Sequence, residues 1–106
     1  MTDKRIILID LKNKLEEQYS ESVKNVVLFG SQASGKANEN SDYDILILLN
    51  RDYTKIDESK ILDICYDIDL KYNILIDAHL ISTKELNSKR GKQPLFINAI
   101  KNGIYA

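Results

Sequence analysis

At 106 residues the chain is long enough for one domain with a single buried core. Hydrophobic residues at 43% and charged residues at 29% give an ordinary soluble globular balance, and a net charge of −1 excludes a general basic field for nucleic acid or membrane. The lone Cys65 excludes an internal disulfide framework, and the longest apolar run, residues 45–49, falls far short of the ~20 residues of a membrane-spanning helix.

The opening "MTDKRIILIDLKNK" is too charged for a secretory signal, so the expected location is the cytoplasm. A helix is expected from Thr2, capped by Thr2 or Asp3. Ile7, Leu11 and Leu15 recur every fourth residue there, and Leu8 and Tyr19 widen the stripe. "SES" at 20–22 breaks the helix, and "NVVLF" at 25–29 has the β-branched and aromatic composition of a buried strand. Residues 30–41 are dominated by Gly, Ser and Asn and predict a loop or a single helical turn. "YDILILL" at 43–49 is apolar on both faces, the mark of an interior strand.

After a polar connection at 50–59, "KILDICYDIDL" at 60–70 puts Ile61, Ile64, Cys65 and Ile68 on one helical face. "NILIDAHLI" at 73–81 alternates as a strand does. Ile74, Ile76, Ala78 and Leu80 face one way, and Leu75, Asp77 and His79 the other. Ser82 or Thr83 caps a short helix, and a basic loop then carries Lys89, Arg90 and Lys92. Pro94 opens a last helix that Gly103 ends. The expected fold is α/β (α+β): one domain over residues 1–106, with a three-stranded central sheet flanked by helices.

Two chemistries compete for "GSQASGKA" at 30–37. Gly30, Gly35 and Lys36 satisfy most of a P-loop, Gly-x4-Gly-Lys-[Ser/Thr], but Ala37 stands where the Mg²⁺-ligating hydroxyl belongs. Parallel βαβ units take roughly 30 residues each, so the chain has little room for a P-loop sheet. The carboxylates favour the second chemistry. Asp42 and Asp44 lie at the mouth of the apolar strand, an i, i+2 pair that would project from one face about 6.5 Å apart at the α-carbons. Such a pair suits Mg²⁺ ions that also take oxygens from a substrate's phosphates. Asp42 alone would serve as a solubilising turn residue. Asp44 runs straight into "ILILL", where an unpaired carboxylate is costly and a metal removes the cost. Asp77 interrupts the third apolar strand in the same way and completes a metal triad if the two strands are neighbours. The other reading of Asp77 is a strand-end carboxylate paired with a lysine. His79 shares the Asp77 face as a minor candidate, and Cys65 is a core residue. The six tyrosines are scattered and form no base-stacking array, so direct nucleic-acid binding is not expected.

"LFGSQASGKANENSDYDILILL" at 28–49 resembles the signature of the DNA polymerase β-type nucleotidyltransferase superfamily, Gly-Ser, a spacer and Asp-x-Asp, here Gly30, Ser31, Asp42 and Asp44. "ILIDAHLIS" resembles that family's third-carboxylate strand, and "PLFINAIKNGIYA" the tail of small bacterial members. The nearest group is the minimal nucleotidyltransferases, often antitoxin partners of helical HEPN-domain toxins. Many members read Gly-Ser-x-Ala-Arg-Gly; Ser34 here replaces the Arg, and Lys36 supplies a cation after the second glycine.

The resemblance implies a small nucleotidyltransferase fold in which Asp42, Asp44 and Asp77 are catalytic and hold two Mg²⁺ ions. Gly30, Ser31, Ser34 and Lys36 would bind the nucleotide, with ATP the expected donor of AMP. Family members acting on tRNA, DNA or antibiotics carry an added acceptor domain. This sequence ends at Ala106, so the acceptor hydroxyl is expected on another polypeptide, a small helical HEPN-type toxin. The alternatives are a non-catalytic module that neutralises a partner by contact and a small-molecule nucleotidyltransferase.

Overall fold

The computed structural model describes residues 3–37 and 41–106. The elements run α1 (Lys4–Tyr19), β1 (Val23–Phe29), α2 (Ser31–Ser34), β2 (Tyr43–Leu49), α3 (Lys55–Tyr72), β3 (Ile76–Ser82), α4 (Thr83–Leu86), α5 (Pro94–Asn102) and β4 (Ile104–Tyr105). The strands form one sheet in the order β3-β2-β1-β4. β1 is antiparallel to both β2 and β4, and β2 is parallel to β3 through the α3 crossover.

Local chemistry sets the helix ends. The Asp3 side chain accepts the Arg5 N–H at 2.9 Å and caps α1; Thr2, the other cap expected, lies outside the described residues. At α3 the Thr54 hydroxyl accepts the Asp57 N–H at 3.2 Å, while the Asp57 carboxylate accepts the Thr54 N–H at 2.9 Å. That reciprocal pair starts the helix at Lys55, inside the stretch expected to be a polar connection over 50–59. Asn73 ends α3 in the left-handed region with φ 54°. Asp69 then accepts the Ile76 N–H at 2.9 Å, tying the end of the crossover to the start of β3.

The sheet separates two apolar clusters. On one face Ile7, Leu8, Leu11 and Leu15 of α1 and Ile61, Cys65 and Ile68 of α3 pack on Val26, Leu28, Ile45 and Ile47. Burial pushes the Cys65 thiol up to about 12, the state of an inert core residue. On the other face Phe96 and Ala99 of α5 pack on Val27, Phe29, Leu46, Leu48 and Ile81. β2 therefore lies between two layers, which accounts for its apolar run on both faces.

Two expectations are corrected. The strand expected at 25–29 begins at Val23, and the sheet has four strands instead of three. The fourth, Ile104–Tyr105, is only two residues long and follows the α5 stop at Gly103, so it carries no alternation to read. In the basic loop, Arg90 is held by Glu85 at 2.7 Å and the Tyr53 hydroxyl at 3.1 Å, and it lies over the Phe96 ring. That guanidinium holds α4, α5 and the connection after β2 together. No helix among the described residues is long and apolar enough to cross a membrane.

Candidate active site

The site grows from the register of three strands. Asp44 stands opposite Phe29 in the antiparallel β1–β2 pair and opposite Asp77 in the parallel β2–β3 pair. Side chains alternate along a strand, so Asp44 and Asp77 emerge on the face of Leu46, Leu48 and Ile81. His79, two residues beyond Asp77, emerges there too. One ligand atom from each of Asp44, Asp77 and His79 lies within 4.8 Å of the others. The His79 Nε2 is 3.4 Å from the Asp77 Oδ2, and the imidazole leans on the Phe29 ring with centroids 5.5 Å apart. Asp77 is more than half exposed, with 55% of its side chain open, so this edge of the site can meet a second molecule.

Burial, with the negative charge of Asp77 next in weight, pushes the Asp44 carboxyl above the usual carboxylate range; His79 opposes the shift and Asp42 adds to it. Two convergent carboxylates, one partly buried, form a donor set that a divalent cation would relieve of like-charge repulsion. The residues therefore fit the cations expected of this chemistry.

β2 starts at Tyr43, so Asp42 stands just before the strand, at its mouth as the sequence has it. Its side chain lies outside the Asp44–Asp77–His79 cluster, although its charge reaches Asp44. Asp44 and Asp77 are brought together as expected, and the lysine pairing considered for Asp77 is replaced by the contact with His79. A lone histidine in an alternating strand looks like a half-exposed surface residue; its place two residues after Asp77 was the available signal.

The loop between β1 and β2 closes over Asp44. Gly30 has φ 73° and ψ −152°, a conformation nearly confined to glycine, and a Cβ built on it would overlap the Asp44 Oδ2. The missing side chain is what lets Asp44 turn into the site. Ser31–Ser34 then make the single helical turn expected for the polar stretch 30–41, of which residues 38–40 lie outside the described residues. The Ala33 and Ser34 N–H groups donate to the Gly30 carbonyl, and the Lys36 N–H donates to that of Ser31. The first N–H groups of the turn, on Ser31 and Gln32, have no acceptor within it. The Ser34 hydroxyl donates to the Ser31 carbonyl at 3.2 Å, and Lys36 is exposed.

Gln32, which the sequence did not single out, locks this loop. Its buried amide donates to the Ser41 carbonyl at 3.1 Å, joining the helical turn to the approach of Asp42, and Lys4 donates to the Gln32 carbonyl.

Comparison with known proteins gives the same outline. The sequence profile of the nucleotidyltransferase domain matches residues 8–105. Two relatives from Methanocaldococcus jannaschii carry the name "Putative protein adenylyltransferase". MJ0604 is 33% identical over 86% of this chain and 85% of its own length, and MJ0141 is 37% identical over 91% and 90%. Two solved structures share the fold at a TM-score of 0.58. One, "Crystal structure of the toxin-antitoxin with AMP-PNP", is 21% identical and covers 90% of this chain and 68% of that one. The other, "Structure of putative minimal nucleotidyltransferase", is 19% identical and covers 97% and 95%.

Proposed function

This chain belongs to the nucleotidyltransferase domain family and is a nucleotidyltransferase, and from that premise we propose that it moves AMP from ATP to a hydroxyl of a partner protein. The observation that carries the reading is the convergence of Asp44 and Asp77 from adjacent strands beneath a glycine whose Cβ would displace one of them. The relatives' names support a protein as acceptor. The toxin–antitoxin structure with AMP-PNP supports an adenine nucleotide as donor and a toxin as partner. A helical HEPN-type toxin is the partner we infer, with this chain as its antitoxin.

Asp42, Asp44 and Asp77 are the residues that would hold divalent cations, Mg²⁺ first among them. Bound there, a cation would offset the charge of the triphosphate and of the departing pyrophosphate. Gly30 would let the backbone approach the phosphates, and the Ser31 and Gln32 N–H groups and the Ser31 hydroxyl would donate to them. Lys36 adds a positive charge at the loop's exposed edge, and Ser34 keeps the turn closed. Asp77, at the open edge, orients the acceptor hydroxyl and takes its proton. The acceptor oxygen forms a bond to the α-phosphorus as the bond to the bridging α–β oxygen breaks. Pyrophosphate then leaves in line.

Calorimetry with ATP and Mg²⁺ tests the site. Wild-type protein is expected to bind, and Asp42→Asn/Asp44→Asn to lose binding while keeping its fold, because neutral amides cannot offset divalent charge beside a triphosphate. Equal affinity in both proteins would move the nucleotide elsewhere.

A further inference from the structure

The chain has one histidine, and it stands at the carboxylate cluster. Its placement is specified from three sides. β3 alternation directs His79 to the face of Asp77, register sets it beside Leu46, and the Phe29 ring supports the imidazole at 5.5 Å between centroids. Phe29 is itself the register partner of Asp44, so one strand pair positions both the carboxylate and the ring that backs the histidine. The result is a nitrogen donor and two oxygen donors within 4.8 Å of one another.

The Nε2–Oδ2 separation of 3.4 Å is short enough for both atoms to bind one ion, since donors with bonds of about 2.1 Å lie no more than about 4.2 Å apart.

Donor chemistry then selects the ion. Mg²⁺ takes oxygen ligands, whereas imidazole suits transition-metal ions. We propose that His79 is a metal ligand and that the ion held by Asp44, Asp77 and His79 is a transition-metal ion such as Mn²⁺, in preference to Mg²⁺. This rests on the carboxylates being the nucleotidyl-transfer site and assigns that site a ligand beyond its three aspartates. Asp42, outside the cluster, remains with Asp44 for the Mg²⁺ that accompanies the triphosphate. The two cation positions thus differ in kind: one is all oxygen, and the other includes nitrogen.

Pulsed electron paramagnetic resonance on Mn²⁺ bound to the tag-free protein tests this. Mn²⁺ alone is the first probe, and Mn²⁺ with inorganic triphosphate, which brings no nitrogen, is the second. Wild-type protein is expected to show imidazole ¹⁴N coupling, which only His79 can supply, and His79→Gln to show none. Competition should agree, with the excess of Mg²⁺ needed to displace Mn²⁺ falling roughly tenfold or more in His79→Gln. Mn²⁺ bound by wild-type protein without nitrogen coupling overturns the proposal and leaves the carboxylate site standing. Failure of wild-type protein to bind Mn²⁺ under either condition overturns both. The wild-type spectrum decides the question even if the variant does not fold.

Discussion

Gly30 and Asp44 form one unit, although fourteen positions separate them in the sequence. The backbone at φ 73° and ψ −152° would strain any other residue by about 1–3 kcal/mol, and a Cβ there would meet the Asp44 carboxylate. Gly30→Ala is therefore expected to lower thermal stability modestly and divalent-ion affinity much more, which a melting curve and a Mn²⁺ titration would separate. Undiminished ion binding would show that Asp44 is not held by this contact. Asp77 should behave differently. With more than half its side chain exposed on the acceptor side, Asp77→Asn is expected to cut the transfer rate far more than ATP affinity. Single-turnover kinetics beside calorimetry would measure both; equal losses would place Asp77 in the nucleotide site instead.

These two aspartates were legible in the sequence because each interrupts an apolar run, where an unpaired charge is expensive. Asp42 stands one residue before the strand, at the mouth where the sequence put it. His79 was legible only as a minor candidate, and Gln32 not at all. Their significance lies in what neighbouring strands and the returning loop bring against them, and a single strand's pattern carries neither.

Among the elements, α3 shows how a local signal decides a boundary. Its apolar face begins at Ile61, and periodicity alone therefore starts the helix too late. The Thr54–Asp57 capping box adds a first turn that has no buried residue of its own. Thr54→Ala should cost about 1 kcal/mol of stability by removing the acceptor for the Asp57 N–H, readable as a shifted denaturation midpoint with an unchanged slope. The cap also has a pH dependence. The Thr54 backbone N–H, followed by Arg51, holds the Asp57 carboxyl below its usual range. Its contribution is fully present above the ordinary carboxylate value and is lost as pH falls through the lowered one. At the other end of the chain, β4 escaped the sequence because a two-residue strand has no period. Its pairing of Val27 with Tyr105 and Leu28 with Ile104 exists only once β1 is in place.

Across the whole molecule, the two apolar clusters serve the site by making the sheet rigid. α1 and α3 cover one face, α5 covers part of the other, and the carboxylates emerge on that second face with Asp77 at its exposed edge. The proposed acceptor would dock there and present its hydroxyl beside Asp77, close to the α-phosphorus as in-line transfer requires. The most direct measurement is the intact mass of the proposed helical partner, co-expressed with wild-type protein and with Asp42→Asn/Asp44→Asn. The account predicts mass increments of whole AMP units with wild-type protein and none with the variant. A tight complex with no added mass, equally protective in the variant, would contradict it and leave neutralisation by contact as this chain's role.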